Sequence, residues 1–127
     1  MGCILITKQE AEQALGEPLG EPQSAAFGGT TTCGYQPSPD RGVLISVSNG
    51  VSKADFETSA QQTAELLHTQ AQPVSDAGDE AYWLPPYLIV LKNGVFLRIS
   101  VWAPQISAPD QLERAKGLAL KAAGRIP

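Results

Sequence analysis

Residues that usually carry chemistry are scarce in this sequence: two cysteines, one histidine and nine basic side chains among 127 residues. A zinc site needs three or four ligands, and His68 stands alone with no Cys-x-x-Cys motif, so no metal centre is expected. His68 reads instead as a histidine near a helix C-terminus, where the dipole favours it. The basic residues form no stripe, the eight aromatics do not interleave with them, and the formal charge is −4 with a pI near 4.8. Nucleic acid is therefore excluded as a partner. No apolar run crosses a membrane: Leu84 to Pro104 is cut by Lys92-Asn93-Gly94 and contains Arg98.

Catalytic signatures are missing as well. The chain has no Gly-x-Ser-x-Gly elbow, no phosphate loop and no Gly-x-Gly-x-x-Gly. Gly28-Gly29 before three threonines reads as a loop entering a strand. Asp76, Asp79 and Glu80 are the densest acidic cluster, but Gly78 among them marks a turn, and the calcium-loop pattern is absent. Neither cysteine has a basic neighbour to activate it. The expectation is a non-enzymatic protein without a cofactor.

What is present begins with the cysteine pair. Cys3 precedes a helix start and Cys33 lies inside a strand-like run, and together they read best as a structural disulfide. Such a bridge places the protein in an oxidising compartment. Two buried thiols are the alternative, or a lipid-modified Cys3 with Cys33 unpaired. Met1-Gly2 does not fit the myristoylation pattern, since Ile6 stands where Ser or Thr is needed. It reads as an appended start, with any signal peptide already removed.

Three helices are signalled by a hydroxyl cap with an acid three residues on: Thr7/Glu10, Ser52/Asp55 and Ser107/Asp110. The first spans Lys8 to Leu15, with Gly16 as a left-handed stop and Pro18 beyond it. The second puts Phe56, Ala60, Ala64 and Leu67 on one face. The third does so with Leu112, Ala115, Ala119, Ala122 and Ile126, with Pro109 in its first turn. Strands are expected over Thr30–Gln36, Val43–Ser48, Ala81–Leu84, Tyr87–Lys92 and Val95–Trp102. Glu17 to Gly29 reads as a long loop. Asn93-Gly94 is a strong hairpin signal and sets Lys92 against Val95 and Leu88 against Ile99.

The expected fold is therefore α+β, a single domain over 1–127: a five-stranded antiparallel sheet packed by helices, in the order α-β-β-α-β-β-β-α. The hairpin register puts Leu88, Val90, Val95, Leu97, Ile99 and Val101 on a core face. The opposite face carries Tyr87, Ile89, Leu91, Phe96, Arg98, Ser100 and Trp102 and is too apolar for free solvent; Tyr87, Ile89, Phe96, Arg98 and Trp102 are its candidate binding residues. A helix, a second subunit or a ligand must cover it. An arginine among aromatics suits an anionic or planar partner.

Several stretches carry a resemblance. Cys3-Ile4-Leu5-Ile6-Thr7, Glu10, Leu15-Gly16, Cys33-Gly34-Tyr35, the Gly78-Asp79-Glu80-Ala81-Tyr82-Trp83 segment and the alanine-rich last helix together resemble small secreted lipoprotein domains of unknown function from actinobacteria. The plan is similar to the extracellular sensor domains of certain bacterial Ser/Thr kinases. The resemblance implies a Cys3–Cys33 disulfide and export to the cell envelope, and transfers no catalytic residue. The functional expectation is an extracytoplasmic domain that binds a small ligand or a protein, with a homodimerising structural module as the alternative.

Overall fold

In the computed structural model, which describes residues 5–75 and 77–126, seven strands form one antiparallel sheet in the order β1-β2-β3-β7-β6-β5-β4. The elements run α1 (Lys8–Leu15), β1 (Gln23–Phe27), β2 (Thr30–Ser38), β3 (Arg41–Ser48), α2 (Lys53–Leu66), β4 (Gln72–Pro73), β5 (Glu80–Leu84), β6 (Tyr87–Lys92), β7 (Val95–Trp102) and α3 (Ala108–Ala123). The α+β class holds, but the expected five strands become seven. β1 lies inside the segment read as a loop, and Gly28 and Gly29 are its hairpin turn, not a loop entry. Their φ values of +58° and +83° satisfy a two-residue turn that needs positive φ at both positions. β4 is two residues pairing with Trp83 and Tyr82.

The helix starts follow their caps in two cases of three. Thr7 Oγ1 accepts from the Glu10 amide at 3.1 Å, and Glu10 Oε1 accepts from the Thr7 amide at 2.9 Å, a complete capping box. Gly16 closes α1 at φ +89°. Ser52 Oγ accepts from the Asp55 amide at 3.1 Å. Ser107 makes no such bond; Pro109 in the first turn sets the start of α3 instead. His68 lies just past α2, not within it. Its φ is +53°, its amide reaches Glu65 O, and the Thr69 amide reaches Ala64 O, so histidine takes the place glycine usually holds in this helix ending.

The two faces of the sheet are covered unequally. On one, Val43, Ile45, Val47, Leu88, Val90, Leu97, Ile99 and Val101 are buried with Leu15 of α1 and Ala115, Leu118, Ala119 and Ala122 of α3. The alanines let α3 sit close to the strands. Arg114 of α3 donates to the last carbonyls of α1, Ala14 O at 2.9 Å and Leu15 O at 3.3 Å, satisfying orphan acceptors at that helix end. Arg125 forks onto both Glu10 oxygens at 2.6 Å and donates to Leu5 O at 2.7 Å. That fork holds the Glu10 carboxyl down at about 2.

On the other face, among the described residues, α2 sets Phe56, Ala60 and Ala64 against Leu84, Ile89 and Leu91. Phe56 is completely buried, 5.9 Å from the Tyr82 ring and 5.2 Å from Phe96 edge-on. Leu67, expected on this stripe, is 38% exposed because the helix ends before it. The Asn93-Gly94 hairpin has the expected register, Lys92 on Val95 and Leu88 on Ile99.

Candidate functional site

Strand alternation sends Thr32, Leu44, Ser46, Arg98, Ser100 and Trp102 to the face that α2 occupies. Cross-strand pairs Thr32–Ser46, Ser46–Arg98 and Leu44–Ser100 fix their relative positions. A helix is about 10–12 Å wide and strands lie about 4.8 Å apart, so one helix shades only two or three strands. α2 packs on β5 and β6. Among the described residues, no helix packs broadly on the half of the face built from β2, β3 and the distal part of β7.

This divides the five residues expected to share a binding face. Ile89 is 2% exposed beneath α2 and serves helix packing alone, whereas Phe96 braces Phe56 and, partly buried, also lines the edge of the hollow at Arg98. Tyr87, Arg98 and Trp102 lie on the open half. The Arg98 guanidinium carbon stands 5.5 Å from the Tyr87 ring centroid, within cation–π range. Among the described residues no carboxylate forms an ion pair with it. Trp102 lies across Gly42: a β-carbon there would fall 2.8 Å from the indole, so glycine gives the ring its seat.

Two hollows flank this arrangement. One of about 350 Å³ lies between α2 and the sheet, walled by Asp55, Ser59 and Thr63 and floored by Ser46, Ser48 and Arg98. The other, of about 320 Å³, is lined by Leu44, Pro86, Tyr87, Ser100 and Trp102. The hydroxyls of the floor are tied to one another: Thr30 with Ser48 at 2.7 Å and Thr32 with Ser46 at 3.1 Å. Ser100 donates to Pro86 O at 3.0 Å. The result is a level, hydroxyl-bearing floor with one cation and an aromatic rim. Chemically it can hold an anionic group at Arg98 and a planar or apolar group beside Trp102.

The β3 contributors, Leu44 and Ser46, were legible only as the alternate positions of Val43-Leu44-Ile45-Ser46-Val47-Ser48. The acidic cluster breaks up. Asp79 Oδ2 accepts from the Asn93 amide at 2.8 Å and supports the β6–β7 turn. Glu80 Oε2 accepts from the Tyr82 hydroxyl at 2.5 Å, which with burial pushes Tyr82 up to about 12. The other Glu80 oxygen is buried without a donor. The neighbouring Glu57 of α2 has its carboxyl raised above the usual range, chiefly by its interaction with the Glu80 carboxylate and then by burial. Asp76 lies outside the described residues.

Cys33 is completely buried in β2. Cys3 lies outside the described residues, and so does the bridge expected between them. Among the described residues no helix is long and apolar enough to cross a membrane. Comparison of the chain with protein-family models, curated proteins and solved structures finds no match.

Proposed function

We propose that this is a non-enzymatic, exported or envelope-associated domain that captures a ligand or protein partner on the open half of its second sheet face. The observation that carries this reading is Arg98, stacked on Tyr87 with no carboxylate ion pair among the described residues, on the same half-face as Trp102, which α2 borders along one side and leaves exposed at Arg98. A guanidinium so placed keeps its bidentate donors for an incoming anion. Export rests on the resemblance and on a Cys3–Cys33 bridge, which also ties the chain start to β2.

A photoreactive residue in place of Leu44, at the centre of this surface, tests the capture directly in cells expressing the full-length gene. Adducts that form in the wild-type background and vanish with Arg98→Ala/Trp102→Ala, at unchanged circular dichroism, support the reading. Absence of adducts, or adducts indifferent to the double substitution, removes it. Two free thiols titrating in unreduced, natively purified protein remove the compartment assignment.

A further inference from the structure

The two edges of the sheet differ in a way that points to a second copy of this chain. β4 is two residues long and includes Pro73, which has no amide to donate, so that edge is blunted. β1 is five residues in unbroken register with β2, and its Gln23, Ser24, Ala25 and Ala26 are all exposed. It carries no charge, no proline and no bulge, the devices that normally keep an edge strand from pairing. The element it packs on is β2, which leaves its outer row of amides and carbonyls facing away from the sheet.

We propose that β1 pairs antiparallel with β1 of a second copy, around a two-fold axis passing through Ala25 and perpendicular to the sheet. In that register Ala25 faces itself, Ser24 falls opposite Ala26 and Gln23 opposite Phe27, so only uncharged residues meet along the strand. Glu21, the acid nearest to the strand in sequence, falls opposite Gly29 of the second copy, so no acid opposes an acid. An antiparallel pair in one sheet keeps equivalent faces on the same side. The open half-faces of the two copies therefore merge. The floor becomes β7-β3-β2-β1 continued by the same four strands of the second copy, with one α2 standing at each side. Seven strand spacings put the two Arg98 sites roughly 34 Å apart, several Debye lengths, so they do not repel each other. That this floor captures a partner rests on the reading above, whereas the pairing itself does not, and the two fail separately.

Sedimentation velocity of the full chain between about 5 and 500 μM tests the pairing. The expected result is a concentration-dependent species of twice the 13.4 kDa monomer. Ala25→Lys, which sets like charges face to face across the axis at an exposed position, weakens it about tenfold or more while leaving the melting temperature of the monomer unchanged. Ser24→Lys gives the same loss. A monomer throughout the range overturns the proposal. So does a dimer that survives both lysines but disappears with Arg98→Ala/Trp102→Ala, which would place the contact on the open face instead.

Discussion

Phe56→Ala is the perturbation that separates the two halves of this molecule. Phe56 is fully buried, and the other anchors of α2 are alanines, so most of the apolar area holding the helix belongs to one ring. Removing a buried phenylalanine costs about 3–5 kcal/mol in transfer and cavity terms. Contacts with Tyr82 and Phe96 add about 0.5–1.5 kcal/mol each beyond burial, so Phe56→Leu, which keeps most of the volume and loses the ring contacts, costs about 1–3 kcal/mol. A 14-residue helix is marginal by itself, so an undocked α2 unwinds. The β2, β3 and β7 strands keep α1 and α3 on their other face and stay folded. Native-state hydrogen exchange should show α2 amides opening about two to four orders of magnitude faster, with protection of β3 and β7 little changed. Equal loss in α2 and in β3, or a loss below about 1 kcal/mol, would refute the reasoning that one ring docks the helix.

Acid exposes the Glu10–Arg125 fork: with Glu10 held near 2, its stabilisation is complete above the unfolded carboxylate value and is lost as pH falls toward 2. Because Arg125 is 39% exposed the effect is discounted to about 1–2 kcal/mol, and Glu10→Gln should flatten acid unfolding between about pH 5 and 2 by that amount. His68→Gly relieves a left-handed backbone at a non-glycine residue and should raise stability by about 1 kcal/mol in urea unfolding. Glu57→Gln gives Glu80 a permanent neutral donor and should raise the melting temperature at pH 7, with the gain shrinking toward acid as wild-type Glu57 protonates. Gly78→Ala meets Val90 at 2.6 Å and Leu91 O at 2.7 Å from a backbone at φ +63°, and should cost about 2–4 kcal/mol by chemical denaturation.

Much of this architecture is legible in the residues because local chemistry decides it. Thr7 with Glu10, Gly16 after Leu15, and Asn93-Gly94 each demand one backbone geometry, and those elements lie where the pattern puts them. β1 is different. Gln23-Ser24-Ala25-Ala26 alternates nothing and buries nothing; it is a strand because Gly28-Gly29 folds it onto β2, a two-glycine turn signal that the reading as a loop passed over. Ser107 looked like a cap by spacing alone, yet spacing does not aim its hydroxyl. At the candidate site, alternation placed Tyr87, Ile89, Phe96, Arg98 and Trp102 on one face. It could not say where α2 stops. That boundary is set by the width of one helix against seven strands, a tertiary quantity absent from any local pattern.

The open half-face is tested most directly by the fluorescence of Trp102 in a Trp83→Phe background, since Trp83 is buried and Trp102 borders the surface. Iodide and caesium report the charge that a diffusing quencher meets. An unneutralised Arg98, four residues back along the same strand and on the same face, draws iodide in and turns caesium aside. The account predicts strong iodide quenching, weak caesium quenching, and loss of that difference with Arg98→Met. A Trp102 shielded from both ions, or quenched equally by both while Arg98 is present, would contradict it.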